Sequence, residues 1–148
     1  VQSRKCAGPR HIAFHPTLPY AYAVNELAST VTAYHANVDE PGLAPFQIYT
    51  GESRGAAIVV SPEGDEVVVS NRGHDSVATF SIDRERGTLS PKHFHTIGGR
   101  TPRFLPEGEL TAANEDSDTI VSLGDDGGRR VLTETGSPVC IVFRADPE

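Results

Sequence analysis

The sequence lacks methionine and tryptophan and contains two cysteines, Cys6 and Cys140. Two cysteines supply neither a disulfide framework nor a four-ligand zinc site, so we expect buried or idle thiols. Because methionine is absent, we expect that processing or truncation has removed the initiator residue. No apolar run approaches the roughly 20 residues that cross a bilayer, and the N-terminus lacks the apolar core of a signal peptide. We therefore predict a cytoplasmic protein with no membrane partner.

Positive charge is also scarce. Thirteen lysines and arginines face twenty aspartates and glutamates among 148 residues, which gives a formal net charge of −7. This balance argues against nucleic acid or an anionic membrane as the main partner. Apolar residues make up 37% of the chain, which is enough for a folded core. Any site for an anion must therefore be local.

The sequence shows no helical periodicity. Its strongest pattern is an internal repeat. Asn25, Asn71 and Asn114 recur at intervals of roughly 45 residues within similar segments. The residue pattern is of strand type, for example over residues 20–24 and 66–70, which are rich in aromatic and β-branched residues. Each repeat has room for about four short strands, which is typical of a propeller blade.

The repeats predict an all-β fold, a partial β-propeller of four-stranded antiparallel blades over residues 1–148. We place the repeats approximately at residues 8–52, 53–99 and 100–136. Residues 137–143 match the opening of the first repeat, with Pro138 on Pro9, and are predicted to form the inner strand of a ring-closing blade. The third repeat is shorter than the first, either because this blade is degenerate or because residues are missing.

Closed propellers have about four to eight blades, whereas these repeats supply about three. Unpaired strand edges invite association. We therefore expect missing propeller blades, upstream of this segment, or self-association to cover the open edges.

Six stretches carry a resemblance to a known family: "GPRHIAFHP", "YAVNEL", "VSPEGDEVVVSNRGHDSVATFSID", "GGRTPRF", "AANEDSDTIV" and "SPVCIVF". In this order they resemble the C-terminal half of the lactonase-type seven-bladed propellers, which include bacterial 6-phosphogluconolactonase and the fungal carboxymuconate-lactonising enzyme. The resemblance covers almost the whole chain. It implies a small anionic lactone as substrate and hydrolysis of a sugar lactone, 6-phosphogluconolactone to 6-phosphogluconate, with neither metal nor organic cofactor. A muconate-type lactonising cycloisomerase and a non-catalytic binding platform are the alternatives, because propellers host many functions.

The resemblance also implies three catalytic residues: Arg10 of "GPRH", Glu26 of "NEL" and Arg72 of "SNRG". The family uses a further histidine from an earlier blade, and no position in this sequence matches it. Arginine can hold a phosphate or carboxylate and can stabilise an oxyanion, and a glutamate can act as a general base. The alternative for Arg10 and Glu26 is a structural ion pair, and for Arg72 a surface turn.

The repeat itself places charge at equivalent turns. The asparagines are predicted turn formers that bond nearby backbone, and each is followed by a charged residue: Glu26, Arg72 and Glu115. Equivalent turns therefore present opposite charges around one end of a central channel. Three further residues are candidates for substrate binding, with solvated loop charges as the alternative for the two arginines: His74, Arg100 and Arg103. His93 and His95 share a strand face, but no third ligand follows, so no metal site is predicted.

Overall fold

The computed structural model describes residues 5–37, 42–50, 54–105, 111–124 and 128–142. Within these ranges the chain forms twelve strands in three four-stranded antiparallel sheets. The first sheet contains β1 (Pro9–Phe14), β2 (Tyr20–Asn25), β3 (Thr30–Asn37) and β4 (Gly42–Thr50). The second contains β5 (Arg54–Val60), β6 (Glu66–Arg72), β7 (Ser76–Ile82) and β8 (Leu89–Thr96). The third contains β9 (Pro102–Phe104), β10 (Thr111–Asn114), β11 (Thr119–Leu123) and β12 (Arg129–Glu134), with a 3-10 turn at Glu115–Ser117.

Each sheet is a simple meander in which strands consecutive in the chain are hydrogen-bonded neighbours. This confirms the all-β prediction of four-stranded antiparallel blades, about three of which are represented. We call each sheet a blade and its first strand the inner strand. The inner strand of the third blade has 3 residues, against 6 in β1 and 7 in β5. No helix of the described residues is long and apolar enough to span a membrane.

Alternation along the strands buries both faces of the middle blade. Ile58 of β5 joins a core cluster with Tyr22 and Val24 of the first blade. The next residue, Val59, points to the opposite face and joins a cluster with Leu105 beside the third blade. Each such aliphatic side chain contributes roughly 1.5–3 kcal/mol when fully buried. The blades therefore stack face to face through apolar junctions.

The inner strands of the three blades lie side by side. A cavity of about 540 Å³ is lined by β1, β5, the end of β9 and, from the C-terminal segment, Ile141 and Val142. Inner strands around a shared space are the arrangement expected of a propeller channel. On the far face of the first blade, Ala21, Ala23 and Tyr34 form a separate buried apolar cluster.

Turns also tie neighbouring blades together. His15, in the turn between β1 and β2, is buried and accepts hydrogen bonds at Nδ1 from the Thr17 and Leu18 amides, at 3.1 and 3.0 Å. Because Nδ1 accepts, Nε2 carries the proton and donates to the Gly64 carbonyl at 2.8 Å. Gly64 has φ of 70°, and a Cβ there would overlap the His15 ring. This contact explains why glycine occupies the turn between β5 and β6.

The segment after the third blade repeats an earlier junction. The Asp75 carboxylate accepts a hydrogen bond from the Thr101 amide, just before β9, at 2.8 Å. The Asp118 carboxylate accepts one from the Ser137 amide at 2.7 Å. Residues 137–142 nevertheless form no strand within the described part of the chain, and Phe143 lies outside it. A strand needs a hydrogen-bonded neighbour, so an inner strand here stays a prediction.

Both cysteines are exposed free thiols within the structure, so the expectation that they could be buried is wrong. Cys6 lies in a turn before β1 with φ of 63°, and Cys140 lies in the segment that pairs with no described strand. Neither position is enclosed by a sheet.

Gly55→Ala tests the junction between the first two blades. A Cβ at Gly55 would overlap the Cγ2 methyl of buried Val24. We expect a loss of about 1–3 kcal/mol in the free energy of unfolding, measured by urea denaturation. Gly42→Ala is the matched control, because nothing lies within 4 Å of its added Cβ.

Val24→Ala removes the overlapping methyl. Gly55→Ala and Val24→Ala should therefore couple, with the double variant at least about 1 kcal/mol more stable than the sum of the single losses predicts. Additive losses would show that the two blades do not meet at this contact.

Candidate functional site

One turn recurs at the end of the second strand of each blade. The asparagine side-chain amide donates to a hydroxyl five residues later: Asn25 to Thr30 at 3.0 Å, Asn71 to Ser76 at 3.4 Å and Asn114 to Thr119 at 3.3 Å. The asparagines were correctly predicted to form turns. Their partners are side-chain hydroxyls, however, rather than the backbone groups expected from the sequence.

The residue before each hydroxyl adopts a left-handed conformation: Ser29 with φ of 51°, Asp75 with φ of 50° and Asp118 with φ of 55°. The three turns therefore share both a hydrogen bond and a backbone bend. A turn of fixed shape gives the residue after the asparagine the same position in each blade. Those residues are the charged ones identified in the sequence: Glu26, Arg72 and Glu115.

Two of these charges meet across the junction of the first and second blades. The Glu26 carboxylate lies 2.5 Å from Nη2 of Arg72 through Oε1 and 3.7 Å from Nε of Arg10 through Oε2. The side chains are 16% exposed for Arg72 and 26% exposed for Arg10 and Glu26. Arg10 also donates from Nη1 to the Ala56 carbonyl of the second blade. One carboxylate thus joins arginines from two blades.

A β-bulge aims Arg10 at this site. Pro9 pairs with Asn25, and His11 pairs with Val24, so Arg10 is the extra residue of the inner strand. A bulge leaves its extra residue unpaired and redirects its side chain. The strict alternation of a strand would not place Arg10 in this way.

The third blade repeats the arrangement. Pro102 pairs with Asn114, and Phe104 pairs with Ala113, so Arg103 is the extra residue of β9. Its Nη1 lies 2.6 Å from Oε2 of Glu115, the residue after the asparagine. Arg103 and Glu115 are therefore the counterparts of Arg10 and Glu26.

The two pairs share one electrostatic field. Burial, then the positive charges of Arg72 and Arg103, lower the pKa of Arg10, whereas Glu26 and Glu115 act in the opposite direction. We call these five residues the arginine–glutamate cluster. Its three arginines outnumber its two glutamates by one, so these five residues carry a formal excess of one positive charge in an acidic chain. Paired guanidinium groups at one end of the inner strands suit a phosphate or carboxylate.

The other two predicted binding residues lie in exposed turns. His74 shares a 2.8 Å hydrogen bond with the Ser76 hydroxyl. Arg100 donates to the Asp116 carbonyl at 2.8 Å, and its amide donates to the Ser117 hydroxyl at 2.9 Å. The structure therefore brings Arg10, Glu26 and Arg72 together, with Arg103 in the electrostatic field of Arg10. The catalytic and substrate-binding roles of all six predicted residues stay predictions. Glu115 is not among the site residues expected from the sequence, although its place after a repeat asparagine is the signal that could have identified it.

Metal ligands are not assembled within the described ranges, where no group of three or more histidine, cysteine or acidic residues could hold an ion. His93 and His95 lie along β8 with ring centroids 5.6 Å apart.

The family model described as "Lactonase, 7-bladed beta-propeller" matches residues 1–143. The chain belongs to this lactonase propeller family. It is 38% identical over 154 residues to the 6-phosphogluconolactonase of Bacillus subtilis, covering 93% of this chain and 44% of that protein. It is 37% identical over 131 residues to the 6-phosphogluconolactonase of Formosa agariphila, covering 82% of this chain and 37% of that protein.

Among solved structures, the periplasmic gluconolactonase of Pseudomonas aeruginosa superposes on this lactonase-family chain with a TM-score of 0.84 and 26% identity. That match covers 99% of this chain and 45% of the other. The chain thus spans less than half the length of these relatives.

Glu26→Gln tests whether the shared carboxylate holds the two blades together. Without its charge, Arg10 and Arg72 repel each other at close range, and we expect the free energy of unfolding to fall by about 1–3 kcal/mol. Glu66→Gln is the control, since Glu66 forms an exposed ion pair with Lys92 within one blade. That variant should lose about 1 kcal/mol or less. Equal losses in urea denaturation would contradict a stabilising role of the inter-blade carboxylate.

Proposed function

We propose that the protein is an enzyme that hydrolyses a sugar lactone, with 6-phosphogluconolactone as the substrate and 6-phosphogluconate as the product. The observation that carries this proposal is the Glu26 carboxylate, shared between arginines of two blades at the end of the inner strands. The names of the Bacillus and Formosa relatives support the same reaction. The proposed activity is that of a protein of the relatives' length, in which the cluster would lie in the active site.

In the proposed mechanism, water attacks the lactone carbonyl carbon. Glu26 accepts a proton from the water, and Arg10 and Arg72 stabilise the negative charge that develops on the carbonyl oxygen. The tetrahedral intermediate collapses, the bond to the ring oxygen breaks, and that oxygen takes the proton back from Glu26. A carboxylate has about four lone-pair positions, so its two arginine contacts leave room for a water.

Arg103 would bind the anionic group of the substrate, because it lies in the same field at the edge of the cluster. His74 and Arg100 are more distant candidates for this role. The proposed mechanism uses neither a metal nor an organic cofactor, since proton transfer and charge stabilisation come from side chains. We also propose a cytoplasmic location, although the Pseudomonas neighbour is named as periplasmic.

Turnover by Glu26→Gln tests the mechanism. The loss of 6-phosphogluconolactone is followed above its spontaneous hydrolysis, and kcat should fall at least about 100-fold because a general base is removed. Circular dichroism verifies that the variant is folded, and Glu26→Asp provides a second variant that keeps the charge and should retain more activity than Glu26→Gln. Glu66→Gln, outside the cluster, should keep the parent kcat.

Three results would count against the proposal. Unchanged turnover in Glu26→Gln would remove Glu26 from the mechanism. Lactonisation of cis,cis-muconate without sugar-lactone hydrolysis would favour the cycloisomerase. Binding without turnover of either substrate would favour a non-catalytic platform.

A further inference from the structure

The two glutamates of the cluster differ in the number of arginines they hold. Glu26 contacts Arg72 through one carboxylate oxygen and Arg10 through the other. Among the ion pairs within the described residues, Glu115 takes part in one, with Arg103 at 2.6 Å. The first carboxylate links two blades, whereas the second neutralises a single cation of its own blade.

The pairs also differ in access to solvent. The Arg103 side chain is 37% exposed, and the Arg72 side chain is 16% exposed. An anion arriving from solvent therefore reaches Arg103 more readily than Arg72. Arginine offers several donors in one plane, but the donor engaged by Glu115 must change partner before two parallel hydrogen bonds to an incoming oxyanion can form on that side.

Glu115 also acts beyond its own partner. Arg103 and Glu115 both influence the pKa of Arg10, in opposite directions, which places the second pair in the field of the first. A change in the charge of Glu115 therefore also alters the electrostatic field at Arg10.

We propose that Glu115 determines specificity at this site by competing with the anionic group of the ligand for Arg103. Glu115 neutralises Arg103, and a ligand that takes the same edge of the guanidinium must displace it. A phosphate dianion can do so better than a singly charged carboxylate, and an uncharged ring gains nothing from the exchange. The proposal rests on the proposed function for the location of the site, but the competition itself requires only that an anion binds.

Glu115→Gln tests this competition without turnover. Binding of inorganic phosphate, gluconate and 6-phosphogluconate is measured by calorimetry at fixed ionic strength. Removing an ion pair that is worth about 0.2–1 kcal/mol should strengthen phosphate binding up to about fivefold. 6-Phosphogluconate should gain as much as phosphate, and gluconate should gain less. Glu115→Asp, which keeps the charge, should remain closer to the parent.

Glu66→Gln is the matched control, because it removes the same charge from a glutamate of similar exposure, 28% against 26% for Glu115, that is also paired with one cation, Lys92. It should leave phosphate binding unchanged. An equal gain in Glu66→Gln would overturn the proposal, because net charge alone would then explain the effect. Weaker phosphate binding in Glu115→Gln would also overturn it, by showing that Glu115 positions Arg103 rather than competing for it. Absence of phosphate binding in parent and variant would do the same.

Kinetics separates this inference from the proposed function. If the protein is a lactonase, Glu115→Gln should lower KM for 6-phosphogluconolactone more than it lowers KM for uncharged gluconolactone. Tighter phosphate binding without any lactone turnover would overturn the proposed function but not the role of Glu115. Lactone turnover with unaltered phosphate binding would overturn the role of Glu115 alone.

Discussion

The hydrogen bond from an asparagine amide to a hydroxyl five residues later is the constraint on which the site depends. It closes the turn after the second strand of each blade and requires a left-handed residue just before the hydroxyl. With the turn fixed, the residue after the asparagine emerges at the same end of every blade. An uncharged hydrogen-bonded turn therefore brings three charged residues to one region: Glu26, Arg72 and Glu115.

The approach of neighbouring blades turns these charges into a cluster. Gly55 lies against Val24 at the first junction, and the absence of a side chain there lets the two blades meet. Glu26 can then reach an arginine of each blade. The bulge at the start of the inner strand completes the arrangement by turning Arg10 towards the same carboxylate. Packing and catalysis, in the proposed function, thus rely on the same junction.

Much of the fold could be predicted from sequence because repeats and alternation are local signals. The strand pattern and the asparagine turns were visible without coordinates. It was not visible which of two neighbouring arginines joins the cluster, since Arg100 and Arg103 stand three positions apart in one stretch. Pairing of Asn114 with Pro102 makes Arg103 the bulge residue, and that register is a property of two strands rather than one. The exposure of Cys140 could not be predicted either. Burial there would require a neighbouring strand, and the sequence around Cys140 does not identify one.

A crystal structure of the protein with 6-phosphogluconate bound is the most direct test of the central claim, that the arginine–glutamate cluster is an anion site built across blade junctions. The account predicts one anionic group of the ligand within hydrogen-bond distance of Arg10 or Arg72 and the other at Arg103, with Glu115 displaced from that arginine. A ligand bound elsewhere, with the ion pairs of Glu26 and Glu115 intact, would contradict it.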